Sequence, residues 1–301
     1  MRPSKPMGEA WFLGQEREMF GNVPKIFGDI APEMFSDMLY EITSGFSCFG
    51  KMPEWSEWFH FSLAEYTSRP ESGNVHNRFG EMVSAFVALY PESSFVEPYI
   101  GFRRDAVNSL GRVLMSPDLW GDAVLTADQS FHRDEKIQFS KEFGGEYFSA
   151  SLFFCLKYLP LDELFSWLNS VLNIPCVNWR KQLIVWLFGA HPLLTGKVKQ
   201  VNQLSNSYPN VSWKNSFLLN GNYTGVFTQE ALNSAGDFLP AENRERFLEF
   251  VRRRLRPEVF KAWNLEYDGG SYFEEEFAYA AERFEELYFR QLRLDSSIAN
   301  N

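Results

Sequence analysis

Apolar residues in this chain recur three and four positions apart, in segment after segment. Nearly every segment is closed by Pro or Gly. That period lines one face of an α-helix, whereas a half-buried strand would alternate. "NVHNRFGEMVSAFVALYP" sets Val75, Phe79, Met82, Val83, Phe86 and Leu89 on one stripe and stops at Pro91. "PEWSEWFHFSLAEYTSR" opens with Pro53, whose fixed φ and missing N–H suit a first helical turn. Its Trp55, Trp58, Phe59, Ser62, Leu63 and Tyr66 share a face. "APEMFSDMLYEITSGF" starts near Pro32 and ends near Gly45. "FRRDAVNSLGRVLMSP" aligns Ala106, Val107, Leu110, Val113 and Leu114. "YFSASLFFCLKYLP", "LDELFSWLNSVLNIP" and "CVNWRKQLIVWLFGAHP" follow, each of about three to four turns. The last is apolar nearly all round from Leu183 to Ala190, which predicts a helix in the middle of the protein. Two more helical segments, "AENRERFLEFVRRRLRP" and "SYFEEEFAYAAERFEELYFRQLR", close the chain. The fold class is therefore all-α, about nine or ten helices packed as antiparallel pairs in an irregular bundle or a solenoid.

The helices divide the chain. Residues 1–30 lack a period and read as an irregular N-terminal arm packed on the body. Residues 31–195 form the helical body, interrupted by a polar, Gly-rich connection over 117–145. Residues 196–240 are an Asn/Ser/Gly-rich insert or connection. In it, Asn220-Gly221 stands between short apolar runs, which predicts a small β-hairpin near 213–228. Residues 241–301 are a C-terminal helical pair packed on the body.

Composition narrows the function. The 30 Phe and 9 Trp supply a large core, and exposed rings among them would make a recognition surface. A net charge of −10 repels phosphate backbones, so no nucleic acid is expected, and it favours a basic partner. Cys48, Cys155 and Cys176 are odd in number and far apart. This argues against a disulfide framework and for a reducing, cytoplasmic setting. The first residues hold no apolar stretch of the kind a secretory signal needs. The longest apolar run, Leu183 to Ala190, is far short of the roughly 20 residues that span a bilayer, so no membrane is expected.

Several motifs invite chemistry. "NLEYDGGSYFEEE" places Asn264, Glu266, Asp268, Gly269 and Glu275 at calcium-loop positions between two predicted helices. Its first ligand is a neutral Asn, its eighth position is Ser271, and no second loop pairs with it. The preferred account is a turn at Asp268-Gly269-Gly270, a Ser271 cap and acids at a helix N-terminus. No cofactor or metal is therefore expected. "FHRDEKIQF" echoes a kinase catalytic loop, but Phe139 stands where a metal-binding Asn is needed and the glycine-rich loop is missing. Glu57 and His60 have the E-x-x-H spacing of di-iron bundles, which need two such pairs, so a surface pair is expected. Cys176 begins a helix, but its one nearby base, His191, lies roughly 22 Å along that helix. A buried inert thiol is expected. Arg252 to Arg256 sit at a helix C-terminus, and pairing with Glu274, Glu275, Glu276, Glu282, Glu285 and Glu286 of the next helix is expected.

"RRDAVNSLGRVL", Arg103 to Leu114, resembles the second helix of a HEAT-like repeat, with an Arg, then Ala-Val, then Leu-Gly. "WRKQLIVWLFGAHP" resembles it more loosely. The resemblance covers two helices in detail and the rest only in rhythm. It implies a curved helical stack that binds other proteins. No catalytic constellation is evident, so the expected function is a protein–protein interaction module. It would be an acidic α-helical binding protein without catalytic activity, of the immunity or inhibitor type, acting on another, basic protein. Trp55, Trp58, Glu57 and His60 are its candidate binding residues. The alternative is a hydrolase-like enzyme with a helical pocket, using Glu57 with His60 and Asp134 with Glu135 as scattered carboxylate sites.

Overall fold

The structure is a computed structural model that describes residues 3–4, 7–8, 18–19, 32–49, 53–68, 79–112, 144–213, 215–220, 236–265 and 274–289. The described residues are all-α apart from one small ladder. The helices are α1 (Pro32–Phe49), α2 (Pro53–Ser68), α3 (Phe79–Leu89), α4 (Phe102–Ala106), α5 (Gly144–Tyr158), α6 (Leu161–Leu172), α7 (Val177–Leu194), α8 (Ala241–Arg254), α9 (Pro257–Leu265) and α10 (Glu274–Tyr288). Pro32, Pro53 and Pro257 each occupy a first helical position, where the missing N–H costs nothing. In the N-terminal arm Met7–Gly8 pairs antiparallel with Glu18–Met19, and the first of these strands lies against α2.

One core runs through these helices, from Phe35 on α1 to Phe289 just beyond α10. Every residue of α3 is buried. Leu183 to Leu187 of α7 are buried too, as an all-round apolar helix requires. The connection between α7 and α8 adds Val201, Leu204, Val211, Trp213, Phe238 and Leu239 to the same core. α1 packs against α3, α3 against α5, α6 against α8, and α7 against α10. Buried polar groups tie the layers together. Trp213 Nε1 donates to Ser84 Oγ at 2.8 Å, and Asn243 Nδ2 donates to the carbonyls of Leu156 and Leu159. Each would cost about 1–3 kcal/mol if left unpaired.

The structure departs from sequence expectation in four places. α1 continues past Gly45 to Phe49, because Gly45 is buried in tertiary contacts that override its weak helix propensity. α7 runs through Pro192 to Leu194, whose side chain and that of Leu193 are buried. Residues Ser216–Asn220, expected as the first arm of a hairpin, form a 3-10 turn that buries Leu218; residues 221–228 lie outside the described residues. The segment that resembles a HEAT-like helix is α4 followed by a π-helical turn, Val107–Gly111. A side chain on Gly111 would put Cβ 2.5 Å from Cys155 Sγ, so this turn sits directly on α5.

Candidate functional site

Three of the four candidate residues of α2, Trp55, Trp58 and His60, point inward. Trp55 and Trp58 are buried in the core, so their rings offer no exposed face. Glu57 is exposed. His60 is not the surface partner expected of it. Its ring stacks on Tyr90 with centroids 6.0 Å apart and meets Phe102 edge-on at 5.2 Å. His60 Nε2 lies 2.5 Å from the Tyr90 hydroxyl. Burial pushes Tyr90 up to about 12, which keeps that hydroxyl protonated. Tyr158 donates to the Tyr90 carbonyl, and Phe86, Phe95 and Phe154 complete the cluster. This is a polar thread inside an aromatic core that joins α2, α3, α4 and α5.

The other motifs do not gather into a reaction centre. Asn264 lies in the last turn of α9 with Oδ1 buried and without a hydrogen-bond partner, and Glu275 is exposed in the first turn of α10. Glu266 and Asp268 lie outside the described residues, as do Asp134, Glu135 and the whole of 131–139. Among the described residues no group of three or more His, Cys, Asp or Glu is placed to hold a metal ion. Cys176 is a buried thiol at the N-terminus of α7. Arg253 pairs with Glu249 of its own helix at 3.1 Å, and Arg254 donates to Asn169 of α6 at 2.9 Å. So two of the α8 arginines are held by their own helix and by α6, where pairing with α10 was expected. Among the described residues no helix is long and apolar enough to cross a membrane.

Two exposed surfaces stand out instead. The first is on α10. Phe277, Ala280, Phe284 and Tyr288 face the core, while Tyr279 lies on the flank. Its ring meets Tyr208 edge-on at 5.0 Å and Phe188 edge-on at 5.6 Å. Tyr208 is 50% exposed. The Arg283 guanidinium covers Tyr279 at 4.0 Å from the ring centroid. Glu275, Glu276 and Glu282 stand three or four residues from Tyr279, which makes them its neighbours on the helix surface. With six Glu and one Arg, α10 carries a net −5, half of the chain's −10.

The second surface is the connection between α3 and α4. Val96 is 92% exposed and Ile100 fully so, with Tyr99 beside them. They are held out by a fixed base. Phe95 packs on Tyr90 at 4.5 Å, and the Arg103 guanidinium lies over the Phe95 ring. The Arg103 backbone N–H donates to Glu97, and the Tyr99 hydroxyl donates to Asp105.

Sequence reasoning missed both surfaces. The signal for the first was present in "EEEFAYAAER", which sets Arg283 one turn from Tyr279 among glutamates. Nothing local marks Tyr208 as its neighbour. No protein-family model, curated protein or solved structure matches the chain.

Proposed function

We propose that this chain is a protein–protein interaction module, an acidic α-helical binding protein that covers a basic partner in the manner of an immunity or inhibitor protein. The observation that carries this reading is the aromatic pair formed by Tyr279, on a helix with half of the net charge, and Tyr208 from the connection between α7 and α8. Interface centres favour Tyr and Arg, and their rims are polar. A field of one sign raises the rate at which an oppositely charged protein arrives. The apolar tip at Val96 and Ile100 supplies further area, and its fixed base lowers the ordering cost of contact. Of the two helical arrangements, we favour an irregular bundle. α10 packs on α7 across the intervening α8 and α9, whereas in a stack of helix pairs each pair touches only the adjacent pair.

Affinity capture of the tagged protein from its own cell lysate, at low and high salt, tests this. The expected result is one dominant basic protein that is retained at low salt and released at high salt. No retained protein at either salt contradicts the proposal.

A further inference from the structure

We infer that Tyr279 is a seat for an arginine side chain of the basic partner, and that Arg283 occupies this seat in the unbound protein. The inference rests on the reading of this surface as a site for a basic protein.

The ring is already engaged as a cation acceptor, with the Arg283 guanidinium 4.0 Å from its centroid. The hold on Arg283 is weak. Its Nη1 donates to the Tyr279 carbonyl at 3.2 Å and to Glu282 at 3.1 Å, and the Glu282 side chain is 72% exposed. An ion pair this open to water is well screened, so exchanging one guanidinium for another costs little. The ring itself is well fixed. Tyr208 and Phe188 meet it edge-on, so a guest finds an ordered face.

Charge says which guest fits. Within one turn of Tyr279, α10 carries three glutamates, Glu275, Glu276 and Glu282, and one arginine, Arg283. A planar guanidinium satisfies both features at once, stacking on the ring and forking to a carboxylate. The ammonium of lysine is compact and more strongly hydrated, and gains less from the ring. An anionic lipid surface or a nucleic acid meets repulsion from the same helix.

Labelled nona-arginine and nona-lysine peptides, titrated at low salt and read by fluorescence polarisation, test the seat. Arg283→Gln vacates the seat, and this variant is expected to bind nona-arginine about two- to fivefold more tightly than nona-lysine, the worth of one exposed cation–π contact. The wild type gives up its own Arg283 contact when a guest enters, so its preference should be smaller. Adding Tyr279→Leu to Arg283→Gln should erase the preference and leave salt-sensitive binding of both peptides. Adding Tyr279→Phe instead keeps a ring and should keep the preference, which guards against a variant that merely misfolds. Equal affinity for the two peptides in Arg283→Gln, or an unchanged preference when Tyr279→Leu is added, overturns the arginine seat alone. Failure of both peptides to bind at low salt overturns the underlying reading of an acidic binding surface.

Discussion

Tyr288 on α10 donates its hydroxyl to the Leu187 carbonyl of α7 at 2.7 Å, and His191, one turn further along α7, lies edge-on to the same ring at 5.2 Å. This is where the C-terminal helix is fastened to the buried helix. Burial, with Lys197 and Arg252 nearby, pulls His191 down to about 4 from the usual 6.5. Between those two values the unfolded chain binds more protons than the folded one, so stability falls as pH falls. The contribution is intact above about pH 6.5 and lost by about pH 4, a change of about 3 kcal/mol. Urea unfolding of wild type and His191→Gln across pH 4 to 7 checks this. The difference between the two curves should change within that window and be flat above it.

Lys157 gives the opposite end of the pH scale. It is buried, and its Nζ donates to the Phe238 carbonyl at 2.7 Å. Burial pulls its pKa down to about 8 from 10.5. Between pH 8 and 10.5 the unfolded chain again holds more protons. Relative to Lys157→Met, the wild type should therefore gain stability as pH rises through this window, by about 3 kcal/mol. The comparison is cleanest below pH 10. Above that, unfolded tyrosines ionise while Tyr90 stays protonated, which lowers wild type and variant alike.

Gly189 and Gly236 form a matched pair. A Cβ on Gly189 would lie 2.7 Å from the Pro209 carbonyl oxygen and from Val211 Cγ1, and both belong to the segment that α7 holds against the core. A Cβ on Gly236 meets nothing within 4 Å. Gly189→Ala should cost about 1–3 kcal/mol, the usual penalty of overpacking. Gly236→Ala should stay within about 0.5 kcal/mol of wild type. Thermal unfolding of the two variants side by side decides the matter.

Helices were the legible part of this sequence because their period repeats within a few residues. Pro53 marked the start of α2, and the apolar run at Leu183 to Ala190 marked a buried helix. Their ends were less legible. α7 passes Pro192 because Leu193 and Leu194 have a core to enter, which no local rule contains. The site was legible only as chemistry. Trp55 and Trp58 look like recognition residues in a list of aromatics, yet their period already placed them on the apolar face of α2. The seat at Tyr279 depends on Tyr208 and Phe188, which arrive from other parts of the chain. Such a contact leaves no pattern in one sequence.

The most direct measurement is quantitative capture by the wild type and by a variant carrying Glu275→Lys, Glu282→Lys and Glu286→Lys. Circular dichroism should show the variant folded, since the three side chains are exposed, with Tm lowered modestly by loss of the Glu282–Arg283 pair and of an acid in the first turn of α10. The salt-sensitive partner retained by the wild type should be lost from the variant. Equal retention of that partner by the folded variant would contradict the acidic binding surface.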